Sequence, residues 1–124
     1  MRLSRNQFAQ LVREAIDSLP KEFRARLENV AVEVQPAPTR QHMEELGGGD
    51  PEDLFGAYFG VPLTERSVDD LYRLPERIVI FQRNLERACP SREEIVQEVR
   101  TTVLHEIAHH FGMDEDQLED LGYE

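Results

Sequence analysis

Two histidines and a glutamate form the group of residues best suited to chemistry in this chain of 124 residues. They are His105, Glu106 and His109, in the order H-E-x-x-H. On a helix, side chains four residues apart have Cβ atoms about 5–6 Å apart, so both imidazoles can bind one zinc ion at about 2.0–2.1 Å. Glu106 lies beside them and can accept a proton from a water molecule on that metal. The pattern predicts a catalytic zinc site.

An acidic run after the second histidine offers the further ligand that such a site requires. Carboxylate oxygens bind zinc at about 2.0–2.2 Å, and three protein ligands leave a fourth position open for water. Considered alone, the run leaves four candidates for the third ligand: Asp114, Glu115, Asp116 and Glu119.

The spacing of this region resembles that of a known group of metal enzymes. Gly112 follows His109 by three residues and Glu115 by six, which is similar to the metzincin and Asp-zincin arrangement. More closely, residues 104–123 resemble a family of very small bacterial zincin-like proteins, sometimes described as minimal metalloproteases. The signature of that family is H-E-x-x-H-H-F-G, then an acidic pair, then a Leu-Gly-aromatic ending. Residues 60–66 and 77–84 are also similar to that family, so the resemblance covers most of the chain.

The resemblance implies a zinc-dependent metallopeptidase that hydrolyses peptide bonds and holds one zinc ion per chain. It implies His105, His109 and Glu115 as metal ligands and Glu106 as the general base. Glu115 stands where the family usually has Asp, and the extra methylene places its backbone slightly further from the metal. The chain also lacks the downstream methionine turn of true metzincins, since Met113 lies inside the motif.

Two other functions fit the same residues. One is a metal-binding or peptide-binding module with little turnover, or one that needs a partner chain, because 124 residues leave almost no room for a second subdomain that walls a cleft. The other is hydrolysis of a non-peptide substrate, which the same metal chemistry allows. The presence of Glu106 favours catalysis, since a purely structural site has no use for a base.

Composition limits the compartment and the partners. The formal net charge of −11 disfavours nucleic acids and anionic membranes as partners. No apolar run reaches a membrane span of about 18 residues, no secretory signal is recognisable, and Cys89 is the lone cysteine. We therefore expect a cytoplasmic protein with a peptide or protein substrate, folded as one domain over residues 1–124.

The elements that position the site follow from periodicity and capping signals. Helices are predicted from Arg5 to residue 19, over 20–27, as single turns near 42–46 and 84–89, over 92–111 and over 114–121. Strands are predicted near 30–34, 54–59 and 77–81. The expected fold is α+β, with about three strands packed on the long motif helix and the N-terminal helices on the same core.

Further roles are assigned to single residues. His110 falls on the apolar face of the motif helix and is expected to be partly buried, His42 to be solvated, and Cys89 to be a small apolar filler. Arg77 and Tyr123 are candidates for stabilising an oxyanion. A substrate peptide is expected to lie beside an edge strand, provided by residues 54–59 or 77–81.

Overall fold

The computed structural model describes residues 1–60 and 76–112, and this part of the chain has an α+β fold, as predicted. The helices are α1 (Arg5–Asp17), α2 (Lys21–Arg26), α3 (Arg40–Leu46), α4 (Gln82–Ala88) and α5 (Arg92–His110). The strands are β1 (Ala31–Gln35), β2 (Gly56–Phe59) and β3 (Arg77–Phe81), and a 3-10 turn covers Pro51–Asp53. No helix in this part of the chain is long and apolar enough to cross a membrane. The helix predicted over 114–121 lies outside the described residues.

The sheet is mixed, and its strand order is β1-β3-β2. β3 pairs with β1 in parallel and with β2 antiparallel, and its residues Ile78, Val79 and Ile80 are fully buried, as expected for an apolar strand enclosed on both faces. The prediction that residues 77–81 could provide an open edge is therefore wrong, because β3 has a neighbour on each side. The edge next to the motif helix belongs to β2, which begins two residues later than expected.

The main core lies between one face of the sheet and the helices α1 and α5. The apolar stripe of α1 and that of α5 are buried together with Ile78 and Ile80 of β3. Their members are Phe8, Leu11, Val12, Ala15, Ile95, Val99, Val103, Leu104 and Ile107. This confirms that the N-terminal helix and the motif helix share one core.

A second, smaller cluster covers the opposite face of the sheet. It contains Ala57, Phe59, Val79 and Phe81. The ring of His42, on α3, lies 4.9 Å from that of Phe59 and 5.5 Å from that of Phe81. The prediction that His42 is solvated is wrong, because its half-buried imidazole packs against the rings of Phe59 and Phe81.

Three of the four ends of α1 and α5 lie within one residue of their predicted positions, whereas α1 ends at Asp17, two residues early. The Ser4–Gln7 capping box of α1 is complete, with both reciprocal hydrogen bonds. At the start of α5, the Glu94 backbone N–H donates to Ser91 Oγ at 3.2 Å. α5 ends at His110, and Gly112 follows with φ of +73°. The long helix thus begins and ends within one residue of the predicted bounds.

A buried carboxylate ties the N-terminus to α4. The Leu3 backbone N–H donates to Glu86 Oε2 at 2.7 Å, Gln82 Nε2 donates to the same oxygen at 3.1 Å, and Arg83 Nη1 donates to Oε1 at 2.6 Å. Burial opposes the ionised form of Glu86. The Leu3 N–H, the Gln82 amide and the Arg83 guanidinium together outweigh this effect and hold the pKa of the carboxyl below its usual value.

We expect Glu86→Gln to lower the free energy of unfolding by about 1–3 kcal/mol near neutral pH, because buried donors lose a charged acceptor. A lowered pKa in the folded state gives a stabilisation that is fully present above the unfolded-state pKa, near 4.5, and is lost as pH falls through the folded-state value. Urea unfolding at several pH values should show the gap between variant and wild type closing in acid. The exposed Glu28→Gln serves as the control, and an equal gap at every pH would contradict this account.

Candidate metal centre

His105 and His109 lie on the solvent side of α5, one helical turn apart. Both are exposed, whereas Leu104, Ile107 and Ala108 around them are at most 2 % exposed. Burial of the opposite face fixes the rotation of α5 and so presents both imidazoles to the solvent. This is the arrangement that the predicted pair of zinc ligands requires.

Glu106 lies at the border between the buried and exposed faces of α5 and is half-buried. Burial raises the pKa of its carboxyl, and this effect outweighs the opposing influence of the backbone N–H of Tyr58, which hydrogen-bonds the carboxylate, and of His109 and His105. The Glu106 carboxyl therefore lies close enough to both histidines to be influenced by them, and it accepts a hydrogen bond from the strand β2.

The Tyr58 N–H belongs to the side of β2 that faces away from β3. The Phe81 N–H donates to the Phe55 carbonyl at 2.9 Å, and Tyr58 lies opposite Ile78 in the register. Bonded and non-bonded pairs alternate in an antiparallel ladder, so the backbone groups of Gly56 and Tyr58 point to the outer side of the strand. Glu106 thus meets β2 at its outer edge.

Close packing at Gly56 brings α5 onto β2. A Cβ at this position would lie 2.9 Å from Thr102 Cγ2, 3.0 Å from Ile80 Cδ1 and 3.0 Å from the Val79 carbonyl oxygen. Thr102 precedes Glu106 by one helical turn. The missing side chain therefore allows the helix to approach until Glu106 reaches the strand.

A group of partly buried side chains flanks the last turn of α5. The Tyr58 ring stacks on that of His110, with centroids 4.0 Å apart, and the Tyr58 hydroxyl donates to Glu76 Oε2 at 2.6 Å. The side chain of His110 is 4 % exposed, so it is more deeply buried than the partial burial that was predicted. Neither Tyr58 nor Glu76 was predicted to lie beside the motif, and no sequence motif marks either of them.

The other predicted site residues fall into two groups. Arg77 Nε lies 3.7 Å from Glu33 Oε2, and the Arg77 guanidinium lies over the ring of Phe59. Both contacts are on the sheet face opposite α5, so the prediction that Arg77 stabilises an oxyanion is wrong. Tyr123 and the four candidates for the third ligand lie outside the described residues. Within residues 1–60 and 76–112, no three His, Cys, Asp or Glu side chains are grouped for metal binding. The described part supplies the two imidazoles, which are donors that zinc prefers.

Comparison with known proteins agrees with this geometry. The model of a family described as zincin-like metallopeptidase matches residues 27–123. The chain belongs to this zincin-like family. The match begins just after α2 and includes the whole H-E-x-x-H helix, so membership supports a metal-binding or metallopeptidase role for this region.

A solved structure shares the fold. It is a conserved hypothetical protein from Thermo thermophilus, with 23 % sequence identity, a TM-score of 0.54, and an alignment covering 96 % of this chain and 97 % of that one. At this identity the likeness concerns the fold alone. No match was found among curated proteins.

We expect Gly56→Ala to destabilise the protein by about 1–3 kcal/mol, because the added methyl overpacks the contact between α5 and β2. The double variant Gly56→Ala/Thr102→Ser should recover part of the loss, since it removes the nearest atom, Thr102 Cγ2. Urea unfolding of the single and double variants measures both effects. A single variant as stable as the wild type would show that this contact relaxes at no cost.

Proposed function

We propose that the protein is a zinc metallopeptidase that holds one zinc ion through His105, His109 and Glu115 and uses Glu106 as its general base. The observation that carries the proposal is a half-buried carboxylate beside two exposed imidazoles on one helix, at the outer edge of a strand. Family membership over residues 27–123 supports the same conclusion. Residues 1–124 are proposed to act as one domain, in line with the core shared by α1 and α5.

The ligand set follows from the side chains available around the motif. His105 and His109 present their imidazoles from one helix face, and Glu115 is proposed as the third ligand from the family pattern. A zinc ion bound there would act as a Lewis acid toward a water molecule and toward the carbonyl of the scissile bond.

Glu106 is proposed to accept the proton of the attacking water. Its carboxylate accepts the backbone N–H of Tyr58, which holds the carboxyl group toward β2, and burial keeps its pKa above the usual value. A carboxyl with a raised pKa is a better proton acceptor near neutral pH, and it can return the same proton to the leaving amine nitrogen.

The substrate is proposed to be an extended peptide lying along β2. The backbone groups of Gly56 and the carbonyl of Tyr58 point away from β3, and an extended peptide can add to such an edge through main-chain hydrogen bonds. Because Glu106 bonds this strand, a peptide added there would pass close to the general base.

A second candidate is a metal-binding module with little turnover. It is favoured by the exposure of both histidines, because a site open to solvent excludes water poorly. The two functions differ in whether Glu106 is needed to hydrolyse a substrate, since neither uses it as a metal ligand.

We expect Glu106→Gln to keep one zinc ion per chain and to lose hydrolysis by a factor of about 10²–10⁴, since the proton acceptor is gone. His105→Ala and His109→Ala should lose the zinc itself. Elemental analysis and cleavage of a quenched fluorescent peptide library measure the two effects on the same preparations. Full activity of Glu106→Gln would exclude the mechanism, and a wild type that binds zinc but cleaves nothing would favour the metal-binding module.

We expect Glu115→Ala to weaken zinc binding by removing one of three ligands, while Asp114→Ala and Asp116→Ala leave it nearly unchanged. Competition with a chromophoric zinc chelator measures the three affinities under one condition. If Asp114→Ala or Asp116→Ala produced the loss instead, the third ligand would have to be reassigned.

A further inference from the structure

Four side chains form a continuous stack around the end of α5. The Tyr58 and His110 rings lie nearly parallel, 13° apart in orientation. Phe111 meets the His110 ring edge-on at 5.0 Å, and the guanidinium of Arg26 lies 4.6 Å above the Phe111 ring. The stack connects β2, the end of α5 and α2.

A carboxylate fixes the orientation of the first two rings. The Tyr58 hydroxyl donates to Glu76 Oε2 at 2.6 Å, and His110 Nε2 lies 3.7 Å from the same oxygen. A Cβ on Gly60 would lie 2.7 Å from Glu76 Cγ. The absence of a side chain at the end of β2 therefore lets Glu76 reach this position.

Tyr58 contacts the motif region of α5 at two points. Its backbone N–H bonds the carboxylate of Glu106, and its ring stacks on His110. His109 lies between these two positions in the sequence, in the last turn of the helix. The last turns of helices fray most easily, because their carbonyl groups lack partners within the helix. A metal ligand in this turn needs support from outside the helix.

We propose that Tyr58, Glu76 and His110 are positioning residues that hold the last turn of α5 against β2 and so keep His109 and Glu106 in a fixed relation. This proposal rests on the proposed metal site, but it concerns residues that are neither ligands nor the base. In this proposal, the buried His110 supports the helix turn that carries its exposed neighbour, His109.

The test compares Tyr58→Phe with a matched control. Tyr58→Phe keeps the ring stacked on His110 and removes only the bond to Glu76. Ser18→Ala removes a hydroxyl that donates to the Ala15 carbonyl at 2.7 Å, at the end of α1. The control loses a comparable hydrogen bond at the end of α1, outside the contact between α5 and β2.

Two readouts separate positioning from general stability. Hydrogen exchange of the metal-free proteins should show the amides of residues 107–110 exchanging on the order of tenfold faster in Tyr58→Phe, and unchanged in Ser18→Ala. With cobalt(II) as the probe, Tyr58→Phe should bind about 10–100-fold more weakly and show an altered visible absorption spectrum, since loss of support to a ligand changes the metal site. The conservative Glu76→Gln keeps an acceptor for the Tyr58 hydroxyl and should retain more cobalt affinity than Glu76→Ala.

The outcomes distinguish this proposal from the proposed function. If Tyr58→Phe matches Ser18→Ala in exchange and in cobalt binding, the positioning role is overturned. If Tyr58→Phe shows the exchange and cobalt effects but the wild type cleaves no peptide, the positioning role stands and the peptidase function fails. If the wild type binds no cobalt, the proposed metal site and the positioning role that rests on it both fail.

Discussion

The contact between α5 and β2 is the interaction on which the candidate site depends. A glycine in the strand lets the helix come close enough for Thr102 to pack where a side chain would be. One turn later, the carboxylate of Glu106 meets the backbone of Tyr58. A strand and a helix at this separation place the proposed general base beside the strand edge proposed for peptide binding. A larger separation would leave the same three motif residues on an isolated helix.

The helix itself serves two environments at once. One face carries the residues of the main core, and the other presents His105 and His109 to solvent. The fully buried Ile107 lies between the two histidines in the sequence. Core packing therefore sets the rotation of the face that presents the two proposed metal ligands.

Much of the fold was predictable because it depends on local periodicity. The spacing of apolar residues in α5 predicted which side is buried, and thus that His105 and His109 face outward. The run Ile78-Val79-Ile80 predicted a strand. The order of strands was not predictable, because pairing depends on contacts distant in the sequence, and β3 was wrongly considered as an edge for that reason. The contacts of Arg77 were missed for the same reason, because its partners Glu33 and Phe59 lie on other strands.

The candidate site was predictable only as far as its motif. H-E-x-x-H identifies three residues on one helix, where spacing alone determines their neighbourhood. The partners of that helix come from other elements. Tyr58 donates through its backbone N–H, a group that every residue except proline has. The identity of the residue at position 58 therefore gives no signal of this role. Glu76 is one of 25 acidic residues in the chain and is distinguished only by where the fold places it.

The hydrogen bond between Leu3 and Glu86 joins residues 83 positions apart, and this distance has a consequence during synthesis. The apolar stripe of α1 emerges from the ribosome early, but its partner α5 follows only after the whole sheet has been translated. Until then α1 exposes apolar side chains such as Phe8 and Leu11, a state that favours chaperone binding or aggregation. The core and the histidine pair are completed in the same late step, so a nascent chain acquires the face that carries both histidines only when it also closes its core.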